Sequence, residues 1–253
     1  MGNVIGVVNQ KGGVGKTTTA VNLAAALHSR GKAVLLCDFD PQANATSGMG
    51  VDKERAAAST YDMVIGGRPA AEVIVHTPYG DVLPSSSDLC GAGVELIGVQ
   101  NREYALHDAL EPVKDQYDYI FIDCPPSLEL LTLNALCASE SILVPVQCEY
   151  YALEGLSDLM TTMRAVKRGL NTELSLFGVL LTMFDGRTNF SSQVAEEVRR
   201  HFPGKVFATA IPRNVRLAEA PSHGLPVCAY DKFSRGAAAY ETLADEIIQK
   251  EAI

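Results

Sequence analysis

Asn9-Gln10-Lys11-Gly12-Gly13-Val14-Gly15-Lys16-Thr17-Thr18 lies between a short apolar run, Val4 to Val8, and a stretch of helical apolar spacing, Thr17 to Ser29. Glycines at positions 12, 13 and 15 let the backbone turn sharply and aim successive N–H groups at one point, and the helix that follows adds the positive end of its dipole. A strand, such a loop and a helix in that order bind phosphate. Lys16 supplies a point charge for β- and γ-phosphates, the Thr17 hydroxyl a ligand for Mg²⁺, and Val14 and Thr18 complete the cradle. The strict phosphate-loop pattern places a glycine five residues before Gly15; Gln10 holds that place here, and a second lysine, Lys11, opens the loop.

Working outward, Ala33 to Cys37, Tyr119 to Ile122, Ser141 to Val146 and Phe177 to Thr182 read as further buried strands, bounded by Gly, Pro, Asp or Asn. Leu128 to Ala138, Leu153 to Gly169 and Ser191 to His201 carry apolar residues at helical spacing. Strand and helix alternating in this way predict an α/β fold, a mostly parallel twisted sheet with helices on both faces. No linker or composition break divides the chain, so residues 1–253 read as a single domain. Asp52 to Asp88 is the least regular stretch and is expected to hold short helices and an edge hairpin. Gly236 to Lys250 reads as a last amphipathic helix, with Ala239, Leu243 and Ile247 on the face that docks on the sheet.

Composition narrows the class. With 253 residues, 47% of them hydrophobic, the chain can bury a core without disulfide or metal staples. Six scattered cysteines without Cys-x-x-Cys spacing read as reduced core thiols. No apolar run reaches the roughly 18–20 residues of a membrane span, and the first residues lack a basic leader, so a cytoplasmic location is expected. The net charge of −9 argues, as an average, against nucleic acid. Residues 187–235 depart from that average, holding eight Lys or Arg against four Asp or Glu.

In parallel sheets ligands bind beyond the carboxyl ends of the strands. Two predicted strands end there in acids: Cys37-Asp38-Phe39-Asp40-Pro41-Gln42-Ala43-Asn44, and Ile122-Asp123-Cys124-Pro125-Pro126. Carboxylates beside a phosphate loop can serve Mg²⁺ and an attacking water. Together with Val146-Gln-Cys-Glu-Tyr-Tyr-Ala-Leu-Glu-Gly, Leu180-Leu-Thr-Met-Phe-Asp-Gly-Arg-Thr-Asn and Ile211-Pro-Arg-Asn-Val-Arg, these segments resemble the deviant-Walker-A ATPases, and within them the ParA/Soj chromosome and plasmid partition ATPases. The likeness runs through nearly the whole chain.

The resemblance implies a single-domain P-loop NTPase that uses ATP and Mg²⁺. In that family the extra lysine, here Lys11, reaches across a nucleotide-sandwich homodimer to the partner's phosphates, as an arginine finger would; its bland alternative is a solvated loop lysine. Asp40 matches the residue that positions the hydrolytic water, Asp123 the Mg²⁺-side carboxylate and Asp38 a supporting acid, so that Thr17, Asp38 and Asp123 are the implied Mg²⁺ residues, the two acids through water. Pro212 and Asn214 match adenine contacts. Arg187 and Arg216 match positions that bind nonspecific double-stranded DNA, with surface salt bridges as their alternative. A ParB-like centromere-binding protein would stimulate slow hydrolysis, and the protein would associate with the nucleoid. Glu149, Tyr150 and Tyr151 fit either a switch or dimer contact or simple helix entry, and His223 reads as structural.

Two other classes share parts of this pattern. A membrane-cycling division-site ATPase resembling MinD would need a basic amphipathic tail, whereas Glu241, Asp245, Glu246 and Glu251 face a single Lys250 here, so no membrane anchor is expected. An iron–sulfur carrier would need paired cysteines, for which Cys90 and Cys124 are the conceivable pair.

Overall fold

Val4 and Val8 pack into one apolar cluster and Ile5 and Val7 into another; the same alternation separates Leu35 and Cys37 from Val34 and Leu36, and Ile120 and Ile122 from Tyr119 and Phe121. Side chains on a strand point alternately to opposite faces, so strands apolar at every position must be covered on both sides. The computed structural model, which describes residues 2–127, 129–149 and 152–251, has that arrangement.

Its strands are β1 (Asn3–Val7), β2 (Val34–Asp38), β3 (Val75–Thr77), β4 (Gly80–Leu83), β5 (Tyr119–Asp123), β6 (Ser141–Gln147) and β7 (Ser175–Thr182). They form one sheet in the order β3-β4-β2-β5-β1-β6-β7. All pairings are parallel except β3 with β4, the expected edge hairpin. The helices are α1 (Lys16–His28), α2 (Asn44–Gly48), α3 (Thr60–Val64), α4 (Ala70–Val73), α5 (Leu89–Glu95), α6 (Ala105–Leu110), α7 (Leu130–Ala138), α8 (Ala152–Gly169), α9 (Asn189–His201), α10 (Val215–Glu219), α11 (Val227–Tyr230) and α12 (Arg235–Glu251).

One face of the sheet is covered by α3 to α9, the other by α1, α2 and α10 to α12. Helix α1 is buried from Thr19 to Leu27 between the sheet and α12. Its alanines let α12 approach closely, and Thr19 Oγ1 meets the buried Tyr240 hydroxyl at 3.1 Å. Leu243 and Ile247 are buried there and Ala239 is half-buried, so the amphipathic face of α12 is spent on the body of the protein. A Leu243→Ala truncation in such a core typically costs about 2–5 kcal/mol. Among the described residues no helix is long and apolar enough to cross a membrane.

Six cysteines are free; Cys37, Cys124, Cys137 and Cys148 are buried, in keeping with core thiols, while Cys90 is exposed. With Cys124 fully buried behind β5 and Cys90 on the surface of α5, the two do not present a joint thiol pair.

Candidate functional site

The loop after β1 turns through two left-handed residues, Gly13 at φ +74° and Gly15 at φ +89°. Side chains are strained at such angles, and a Cβ on Gly12 or Gly13 would jut into open space where a ligand can lie. Gly15 caps α1 without any side-chain hydrogen bond, and the first turn contains no acid. The leading N–H groups of a 13-residue helix are thereby left for an anion.

Three hydrogen bonds from two side chains hold this loop. Asn9 Nδ2 donates to the Pro145 carbonyl (2.8 Å), Asn9 Oδ1 accepts from the Lys11 amide (3.0 Å), and Thr182 Oγ1 at the end of β7 donates to the Val14 carbonyl (2.8 Å). Lys16 is buried, with its ammonium 3.3 Å from the Lys11 carbonyl. Burial lowers the Lys16 pKa, opposed by the nearby charges of Asp123 and Asp40.

Strand register brings the acids together: Asp38 at the end of β2 lies directly opposite Asp123 at the end of β5. Both are completely buried, yet their surroundings differ. Asp38 Oδ2 accepts from the Thr46 amide and hydroxyl, each at 2.7 Å, and its Oδ1 from the Asp40 amide at 3.2 Å. Burial pushes the Asp38 carboxyl up to about 6 despite those bonds. Neither oxygen of Asp123 has a hydrogen-bond partner. Burial, then the neighbouring charges of Asp38 and Asp40, push its pKa well above the usual range, while the Thr17 hydroxyl and Lys16 pull it down. An unpartnered buried carboxylate beside a threonine hydroxyl and an ammonium suits a hard divalent cation with its waters. Asp40 is nearly buried, and its Oδ1 accepts from the Gln42 amide at 2.9 Å.

Lys11 is the exception to this inward orientation. Its ammonium is bound by Glu149 Oε2 at 2.7 Å, and both side chains remain more than two-fifths exposed. Tyr150 and Tyr151, named with Glu149 from the sequence, lie outside the described residues.

Beside the loop a cavity of about 460 Å³ is lined by Gly15, Thr18, Met183, Pro212, Asn214 and Tyr240, among others. Pro212 and Asn214 are therefore brought to the loop from nearly 200 residues away. Asn214 also caps α10, its Oδ1 accepting from the Arg216 amide at 2.9 Å. Met183 stands at φ +50°, one of three non-glycine residues with positive φ among those described. The following loop is pinned to the residue 211–213 segment by Phe184 N–Ile211 O at 3.0 Å and Arg213 N–Phe184 O at 3.3 Å.

Arg187 and Arg216 are both exposed, one in a loop and one in the first turn of α10, and both are ion-paired. Arg187 grips both oxygens of Asp185 (2.9 and 2.7 Å); Arg216 binds Glu219 at 2.7 Å and Asp231 at 3.3 Å. His223 stacks on Tyr230 with ring centres 4.9 Å apart, a packing role.

Sequence reasoning passed over Asn9, Thr46 and Thr182. Their neighbours in the chain carry the motifs, but their own partners lie in other strands and loops. Only the strand ends at which Asn9 and Thr182 stand marked them.

A parallel sheet, a glycine loop capping α1 and acids at two adjacent strand ends define a P-loop nucleotide-binding protein of the two-lysine type. A model of the AAA domain matches residues 2–176. The sporulation initiation inhibitor protein Soj of Bacillus subtilis is 56% identical over 249 residues, spanning 98% of each chain. The chromosome partitioning protein ParA of Myxococcus xanthus is 52% identical over 253 residues, 99% of this chain and 89% of that one. Among solved structures, cobyrinic acid a,c-diamide synthase from Mycobacterium smegmatis with bound ADP and magnesium superposes with a TM-score of 0.87 at 37% identity, covering 100% of this chain and 96% of that one. The chain belongs to the Soj/ParA family of chromosome-partitioning ATPases.

Proposed function

We propose that this protein is a partitioning ATPase whose ATP-bound form dimerises, binds DNA without sequence preference and is reset by hydrolysis. It is an ATPase that uses ATP and Mg²⁺. The observation that carries the site assignment is the buried, unpartnered carboxylate of Asp123 next to Lys16 and Thr17.

In this reading the amides of residues 12–18 and the Lys16 ammonium bind and orient the phosphates, and Thr17 and Asp123 hold Mg²⁺, Asp123 through water. Mg²⁺ neutralises phosphate charge and polarises the phosphorus–oxygen bonds when bound. Asp40 holds the attacking water, and Asp38 positions Asp40 by accepting its amide while tying down Thr46. Pro212 and Asn214 line the adenine end of the cavity. Lys11 leaves Glu149 and reaches the phosphates bound by a second copy, so that the dimer is complete only when both copies carry ATP.

Arg187 and Arg216 then contact phosphates of double-stranded DNA, two from each copy. Each exchanges a carboxylate partner for a phosphate, an affordable step because exposed ion pairs contribute only about 0–1 kcal/mol. Sequence-independent backbone contacts of this kind suit a protein that must hold any part of a nucleoid. A ParB-like centromere-binding partner stimulates the hydrolysis that releases it.

DNA binding measured with ATP, with ADP and without nucleotide across a salt series tests this reading. Tight, salt-sensitive binding with ATP alone is expected. Equal binding in all three states would refute it.

A further inference from the structure

Phe233 is 88% exposed, more than any other large apolar residue described. It stands in the turn between α11 and α12, and that turn is firmly built. The Phe233 amide donates to Asp231 Oδ1 (3.2 Å), the Ser234 amide to the Asp231 carbonyl (3.1 Å), and the Ala237 amide to Ser234 Oγ (3.1 Å). A ring held out into water by a fixed backbone is a presented group. It also has cationic company: the Lys232 ammonium lies 5.0 Å from the ring centre, and Arg235 opens α12 beside it, exposed.

The turn is joined to the rest of the basic surface. Asp231 binds Arg216 as well as the Phe233 amide, so the ring is tied to α10. Arg213, two residues before α10, is bonded through its amide to Phe184, and the loop of Phe184 carries Arg187. The segments that carry Arg187, Arg213, Arg216, Lys232 and Arg235 are thus joined by these contacts into one strip of chain, with Phe233 in its last segment. The acids Asp185, Glu219 and Asp231 in that strip are each bound to one of its arginines.

We propose that Phe233 is an apolar contact to duplex DNA, entering the minor groove against sugars and base edges while the surrounding Lys and Arg hold the backbone. The proposal rests on the DNA-binding reading above and deepens it. Apolar wedges flanked by basic residues are a recurrent device of proteins that bind the minor groove without reading sequence. A membrane surface fits less well, because one ring amid paired acids falls short of the two anchoring signals that stable attachment needs.

The consequence is separable from charge. Phosphate contacts set the slope of log affinity against log salt, whereas an apolar contact adds affinity without changing that slope. The full chain with Mg²⁺ and ATP is titrated into a short random-sequence duplex from about 50 to about 200 mM salt. Phe233→Ala is expected to weaken binding about three- to tenfold at every salt concentration with an unchanged slope, the size of one lost apolar or stacking contact. Lys232→Ala is expected to flatten the slope. The chain contains no tryptophan, so Phe233→Trp installs a single tryptophan at the contact, excited selectively to the red of tyrosine absorption, and its emission should be quenched by the duplex. Wild-type affinity in Phe233→Ala overturns the proposal, as does an unquenched Trp. If Arg187→Glu with Arg216→Glu abolishes binding while Phe233→Ala does not weaken it, the DNA reading stands and this one falls. Absence of ATP-dependent binding in the wild type removes both. Loss of sedimentation with anionic phospholipid vesicles in Phe233→Ala, at unchanged DNA affinity, would instead place the ring on a membrane.

Discussion

Lys11 and Glu149 form a 2.7 Å ion pair across the mouth of the phosphate loop, joining the residue that opens the loop to the residue just past β6. The pair holds the second lysine away from its own loop. Glu149→Gln should therefore leave stability within about 0.5 kcal/mol, as for other exposed pairs, and favour ATP-dependent dimers up to about fivefold. Sedimentation velocity with ATP measures this; a variant that dimerises less would show that Glu149 supports the dimer instead of restraining Lys11.

Asp123 is fully buried without a hydrogen-bond partner within bonding distance, which disfavours its charged form. Asp123→Asn keeps the shape and removes the charge, so the nucleotide-free protein should melt roughly 2–8 °C higher, from about 1–2 kcal/mol of relief. The same variant should lose the stabilisation that Mg²⁺ with ATP gives the wild type. Thermal melts with and without the ligands check both, and a destabilised nucleotide-free variant would contradict the assignment.

Asp40 and Lys16 should fail in different ways. Lys16→Ala removes the buried ammonium and should abolish ATP binding. Asp40→Ala should bind ATP and slow hydrolysis about 10²–10⁴-fold, leaving a stable ATP dimer bound to DNA. A monomer on a sizing column with ATP would rule out the water-positioning role.

Arg187→Glu combined with Arg216→Glu should lose DNA binding while keeping ATP-dependent dimers. Each reversal sets a new acid beside Asp185 or beside Glu219 and Asp231, so the surface repels phosphate where it had been neutralised. Gel shifts across a salt series that match the wild type would exclude the patch.

Much of the sheet was readable because β1, β2, β5, β6 and most of β7 are apolar on both faces, a pattern that only a covered parallel strand requires. The β3–β4 hairpin was expected only within Asp52 to Asp88, without bounds, because β4 is four residues long and begins at Gly80. The phosphate loop and the acids at Asp38 and Asp123 could be read locally, since chain direction alone puts strand ends on one edge. What binds the loop could not. Thr182 reaches Val14 and Asn9 reaches Pro145 over more than 130 positions, and a hydroxyl or amide in a strand carries no local sign of such a partner. The ion pair of Arg216 with Glu219 is visible as an i, i+3 spacing, but its second pair with Asp231 depends on how α11 folds back.

Met183, in the left-handed region, separates Thr182, which grips the phosphate loop, from the segment leading to Arg187. Only four residues lie between the hydroxyl that grips the loop and the guanidinium of Arg187. Met183→Gly, which relieves the left-handed strain, is expected to leave ATP binding intact and to weaken the ATP dependence of DNA binding; gel shifts with and without ATP check this.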